Sequence, residues 1–156
     1  MTSSICVAGP VLIDTNILVY RVDPRFPEKQ QIATEQMRAG IASSSAHIAH
    51  QSIIEFVAAT TRGGPERRLL DFAEAAREAE EMMVQFPIVY PDAAVLRTAL
   101  RGVAAYGMSW FDAHMWACAE VNGITELLSE DFEHGRMYGT VMVRNPFVRP
   151  AARPNA

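Results

Sequence analysis

Residues 11–20 read VLIDTNILVY. Val11 to Ile13 is apolar at every position, which suits a short strand buried on both faces. The run stops at Asp14, Thr15 and Asn16, and apolar residues then resume with a spacing that suits one or two helical turns to about Val22. The segment therefore predicts a strand that ends on a carboxylate and passes directly into a helix. Whether that carboxylate is a helix cap or a chemical group depends on what the rest of the chain brings beside it.

Outward from this segment the same alternation repeats. Pro27 to Arg38 has helical spacing, with Gly40 as its expected terminator. Ala46 to His50 reads as a second strand, and Ser52 opens an expected helix through Arg62 that Gly63-Gly64-Pro65 ends. Pro65 to Phe86 is the longest helical pattern, rich in Ala, Glu, Arg and Met. Ile88 to Tyr90, between Pro87 and Pro91, is a minimal strand. Asp92 and Ser109 are expected caps of helices reaching Ala105 and ending before Gly123, and Thr125–Leu128 and Val141–Val143 complete the strands. Strands alternating with helices predict an α/β domain with a central, mainly parallel sheet and helices on both faces. No internal repeat or low-complexity linker interrupts it, and the tail RPAARPNA is expected to fray.

Composition agrees with one folded domain. The 156 residues are 49% apolar and 21% charged, the balance of a globular chain. The net charge of −4 gives no general attraction for polyanions, so any nucleic-acid contact needs a local basic patch. Lys29 is the sole lysine among arginines. Cys6 and Cys118 lack motif spacing and have no evident histidine partner, so a reducing, cytoplasmic setting is expected. Ile5 to Ile13 is too short, and too broken by Gly9 and Pro10, for a membrane span or signal peptide.

Asp14, Glu55, Asp112 and Asp131 all fall at strand-to-helix junctions or in first helical turns. Singly, each is explained as a cap: Ser52-Ile-Ile-Glu55 and Ser109-Trp-Phe-Asp112 fit the reciprocal capping pattern, and Asp14 and Asp131 can each cap the next element of the chain. Jointly, they imply more. In a doubly wound sheet these junctions meet along one edge, where such folds bind ligands. Four carboxylates there repel one another unless a cation sits among them. Oxygen donors of this kind suit Mg²⁺ or Mn²⁺ rather than zinc or copper. Such an ion can activate water and neutralise phosphoryl charge, which fits phosphodiester hydrolysis. Thr15 and Asn16 are supporting candidates, with the Asn16 amide able to fix the turn or a neighbouring carboxylate.

The blocks VLIDTNILVY, SIIEFVAATTR, YGMSWFDAHMWACAEVNG and LLSEDFEHGRMYGTVMVRNPF, in that order, resemble those of PIN-domain ribonucleases, and more narrowly the toxins of VapBC-type toxin–antitoxin pairs. The resemblance runs from about residue 10 to 147, leaving 1–9 and 148–156 as short extensions. It implies a PIN-like α/β fold and a site of Asp14, Glu55, Asp112 and Asp131. Asp14 and Asp112 would bind metal most directly, and Glu55 and Asp131 directly or through water. Glu130 adjoins Asp131, although Asp131 matches the motif better. The resemblance further implies a cytoplasmic, Mg²⁺-dependent endoribonuclease (Mn²⁺ substituting), RNA as substrate, a homodimer and a small cognate antitoxin. The alternatives are a PIN-like RNA-processing nuclease without a toxin role and a non-catalytic PIN-fold binding module.

The remaining candidates read as ordinary. His47, His50, His114 and His134 form no zinc pattern. Arg62, Arg67 and Arg68, or Arg144, Arg149 and Arg153, could contact phosphate but equally suit a solvated face. Met82, Met83, Met108, Met115 and Trp116 suit packing, and Trp110 and Phe111 stand beside Asp112, as packing or as a surface for base stacking.

Overall fold

Side-chain alternation sorts the core into two layers. In β1 (Val11–Ile13), Val11 and Ile13 pack into one apolar cluster and Leu12 into the other, as the two-residue period of a strand requires. The computed structural model describes residues 9–149. Cys6, Arg153, the start of the Ile5–Ile13 stretch and all but Arg149 of the C-terminal tail lie outside them.

After β1 come α1 (Thr15–Arg21), α2 (Pro27–Ala42), β2 (Ala46–Ala49), α3 (His50–Thr60) and α4 (Phe72–Gln85). They are followed by β3 (Ile88–Val89), α5 (Ala93–Tyr106), α6 (Trp110–Val121), β4 (Glu126–Leu128), β5 (Met137–Tyr138) and β6 (Val141–Arg144). The strand order is β3-β2-β1-β4-β6-β5, parallel throughout except for the β5–β6 pair. Ile17, Leu18, Ala33, Met37, Phe56 and Met82 from α1 to α4 fill one face. Val95, Ala99 and the buried residues Ala113 to Ala119 of α5 and α6 fill the other. This is the α/β fold, with helices on both faces of a mainly parallel sheet, that the sequence predicts.

Three local expectations are corrected. Gly40 does not end α2, which continues to Ala42; the chain turns at Ser44, whose φ is +54°. Gly40 is instead a point of close approach, because a Cβ there would collide with that of Ala46 in β2. Ser52 does not cap α3. That helix starts at His50, straight out of β2, with Ala49 in the cap position. The stretch before Phe72 is not helical; α4 begins there, with Asp71 and Glu74 forming a reciprocal capping box. Asp92 and Ser109 do cap α5 and α6 as expected.

The sheet order places the site. From β1 the chain runs outward to β2 and β3, then returns to lay β4 on the other side of β1. The switch point is therefore the β1–β4 seam, and the crevice beyond the carboxyl ends of these strands is the ligand position of open α/β sheets.

Candidate active site

Register brings two polar residues together at that seam. Ile13 pairs with Leu128, so Asp14 and Ser129, the next residue on each strand, emerge side by side. The Asp14 N–H donates to the Leu128 carbonyl at 3.0 Å. The Asp14 side chain then caps α1, accepting from the Thr15 N–H at Oδ1, 2.6 Å away. Its other oxygen accepts from Ser129 Oγ at 2.7 Å and from the Asn16 amide at 3.4 Å. Cap and candidate ligand are thus the same carboxylate, and it is only 5% exposed.

Three further acids approach from other elements. Glu55, on α3, accepts from Thr15 Oγ1 at 2.9 Å through Oε2 and from Gln51 Nε2 at 2.6 Å through Oε1. Asp112 lies in the first turn of α6, where its N–H is held by Ser109 Oγ at 3.2 Å. Asp131 follows β4 and accepts from Asn16 Nδ2 at 3.1 Å. Its own N–H donates to Ser129 Oγ at 3.1 Å. No helix follows Asp131, so it caps nothing. Glu130 points elsewhere, to Lys29 Nζ at 2.8 Å and the Tyr20 hydroxyl at 3.0 Å.

The acids sense one another electrostatically. The Asp14 carboxyl is pushed up to about 7, chiefly by burial, with the charges of Asp131 and Asp112 adding to the shift and the Ser129 and Thr15 hydrogen bonds opposing it. The Asp112 carboxyl is also raised, chiefly by burial, with Asp131 and Glu55 adding to the shift and the Ser109 hydrogen bond opposing it. None of the four is paired with a basic side chain among the described residues. A buried carboxylate such as Asp14 without counter-charge is costly to ionise.

This donor set fits a hard divalent cation. Every candidate donor is a carboxylate oxygen, and the missing counter-charge is what such an ion brings. Among the described residues, no three Asp, Glu, His or Cys side chains are drawn together closely enough to form a ready-made cage. The carboxylates of Asp14, Glu55 and Asp131 are spread instead onto Thr15, Asn16, Gln51 and Ser129.

Two members of this network have no expectation attached to them in the sequence. Ser129 is fully buried, and the signal for it is its place after β4, matching that of Asp14 after β1. Gln51 is the other. Its amide reaches both Glu55 and the Phe111 carbonyl, 3.2 Å away, and its oxygen is hydrogen-bonded to His114 Nδ1. Burial lowers the His114 pKa, so the neutral ring carries a proton on Nδ1 for this contact. Cys118, expected to lack a histidine neighbour, has its sulfur 4.0 Å from the same nitrogen, one helical turn on. Ser52, expected as a cap, is buried against the Met115 sulfur at 3.7 Å.

The PIN domain family model matches residues 11–139. The chain belongs to the PIN domain family. No curated protein matches the chain in sequence. Among solved structures, this PIN domain is similar to a toxin–antitoxin complex from Klebsiella pneumoniae, at 16% identity and a TM-score of 0.64, covering 88% of this chain and 98% of that one. It is similar to DNA-bound VapBC from Salmonella typhimurium at 11% identity and a TM-score of 0.65, covering 88% and 98%. It is also similar to VapC20 of Mycobacterium tuberculosis, a Sarcin-Ricin loop cleaving toxin, at 14% identity and a TM-score of 0.56, covering 78% and 89%. At these identities the likeness is one of fold. No helix among the described residues is long and apolar enough to cross a membrane.

Proposed function

We propose that this PIN domain is the toxin of a toxin–antitoxin pair, acting as a metal-dependent endoribonuclease that hydrolyses RNA phosphodiester bonds. The observation that carries the proposal is the buried Asp14 carboxylate, met by Glu55, Asp112 and Asp131 from three other elements with no basic partner. In this reading Asp14 and Asp112 hold Mg²⁺, or Mn²⁺ in its place, while Glu55 and Asp131 do so directly or through water. When bound, the ion lowers the pKa of a water and neutralises charge on a phosphoryl oxygen.

The chain's own contribution is orientation. Ser129 and Asn16 hold Asp14 and Asp131 together from one side. Thr15 and Gln51 hold Glu55 from the other. Pre-set ligands lose less freedom on binding, which favours tight and geometrically specific sites. Glu130, engaged by Lys29 and Tyr20, is left out of the site, and Asp131 is its fourth acid.

The toxin role is supported by the likeness in fold to VapBC assemblies. With it come a small cognate antitoxin as partner, a homodimer and a cytoplasmic setting. The test is cleavage of total cellular RNA by purified, antitoxin-free protein with Mg²⁺ or Mn²⁺, against EDTA and Asp14→Asn controls. Discrete fragments absent from both controls establish the nuclease and identify its target. Intact RNA in every lane, from folded protein, rejects it.

A further inference from the structure

We propose that the groove leading from Glu55 to Arg62 is a nucleotide subsite for single-stranded RNA, in which a base stacks on Phe111 and its phosphate meets Arg62. The proposal rests on the nuclease reading above and adds to it where the substrate lies.

The groove is lined by Thr15, Glu55, Ala58, Ala59, Arg62 and Phe111, with a volume of about 370 Å³, within the range of clefts that take small molecules. Glu55, Ala58 and Ala59 are spaced as one stripe along α3, and Arg62, just past the Thr61 C-cap, lines the same groove. The floor runs from an acid of the site past two alanine methyl groups to a cation. Bound RNA entering at Glu55 would therefore pass over an apolar floor before its backbone meets positive charge.

The two ends have complementary chemistry. Phe111 is 66% exposed and lines the groove beside Glu55, so its ring is available to a ligand there. Its backbone is tied to α3, because its carbonyl accepts from Gln51, which sets the ring's point of attachment beside Glu55. Unstacked RNA bases are bound on aromatic faces of this kind. Arg62 is exposed and, among the described residues, makes no ion pair. Arg144 is paired with Glu126 and bonded to Gln36, so it is engaged where Arg62 is not. A guanidinium set beyond the acid cluster supplies the local positive charge that a chain of net charge −4 needs for a polyanion.

The test is fluorescence anisotropy with a labelled, single-stranded ten-residue ribonucleotide of mixed sequence. It is run with Mg²⁺ in the Asp14→Asn background so that bound RNA is not consumed. Folding of each variant is checked by its melting temperature and its sedimentation is recorded. Phe111→Ala is expected to weaken binding about 5- to 100-fold, while Phe111→Trp retains it and gains quenching of the new indole by RNA. Arg62→Ala is expected to weaken binding and reduce the slope of log affinity against log salt by about 1, with Arg62→Lys restoring it. Undiminished RNA binding by Phe111→Ala and Arg62→Ala overturns the subsite and leaves the nuclease reading standing. Undiminished RNA binding with loss of self-association assigns the groove to an interface between copies, which also overturns it. Absence of RNA binding by the parent, together with absence of cleavage by the unsubstituted protein, rejects both readings.

Discussion

Ser129 Oγ donates to Asp14 Oδ2 at 2.7 Å and accepts from the Asp131 N–H at 3.1 Å. One buried hydroxyl thus joins the anchoring acid of the proposed site to the loop that carries another. Ser129→Ala is expected to cost about 1–3 kcal/mol in urea unfolding, because it strands a buried acceptor. It is also expected to weaken Mn²⁺ binding, measured by calorimetry, by about 10- to 100-fold, the usual effect of removing a group that orients a ligand. Unchanged affinity would show that Ser129 is structural only.

Stability without metal is expected to depend on pH through Asp14. Its folded carboxyl lies at about 7 against an ordinary value of 3.8, so the folded state holds this proton more tightly than the unfolded one. The contribution is therefore fully present below about pH 4 and is lost as pH rises through 7. In EDTA, unfolding free energy is expected to fall by a few kcal/mol from this group across that window. Asp14→Asn removes the loss, and saturating Mg²⁺ opposes it. Parallel pH profiles for the parent and Asp14→Asn in EDTA would refute this.

Gln51 acts on Glu55 through position. Gln51→Ala is expected to lower kcat/KM by about 10- to 100-fold and to weaken Mn²⁺ affinity, since Glu55 loses one of its two tethers. Gln51→Glu is expected to be worse, because it sets a second carboxylate against Glu55 at hydrogen-bonding distance. An equal effect of both substitutions would point to lost packing instead.

Glu130 and Asp131 are adjacent but are expected to separate cleanly. Glu130→Gln breaks the pairing with Lys29, which also lies 4.6 Å from the Tyr20 ring centroid and 5.3 Å from that of Phe147. It should cost about 1 kcal/mol of stability and leave RNA cleavage intact. Asp131→Asn should do the reverse. Loss of cleavage in Glu130→Gln, from folded protein, would reassign the fourth acid.

The elements that carry the site could be read from local pattern wherever one residue type had one role. The end of β1 at Asp14 is such a case, since an apolar run meeting a carboxylate marks both a boundary and a polar destination. Ser109 is another, capping α6 as its spacing predicts. Ser52 shows the limit. Its spacing to Glu55 matches that of Ser109 to Asp112, yet β2 enters α3 with no loop between them, so Ser52 lies inside the helix and is buried. Gly40 fits both a helix terminator and a close approach, and only the position of Ala46 decides between them. β5, two residues long and antiparallel, is too short to set up a period. Ser129 escaped because its partner Asp14 lies 115 positions away in sequence, which no local spacing encodes. Gln51 stands one helical turn from Glu55, but its ties to Phe111 and His114 come from 60 and 63 positions away.

β1 is hydrogen-bonded to β2 on one side and β4 on the other, at the centre of the six strands. Its end is held on both sides, so amide exchange at Asp14 is expected in the slowest, globally unfolding class. Asp131, on an exposed turn, is expected to exchange sooner. In the proposed metal site, ion capture would then be a matter of more mobile groups closing on a stationary one, and the lifetime of the stationary group would be the lifetime of the fold.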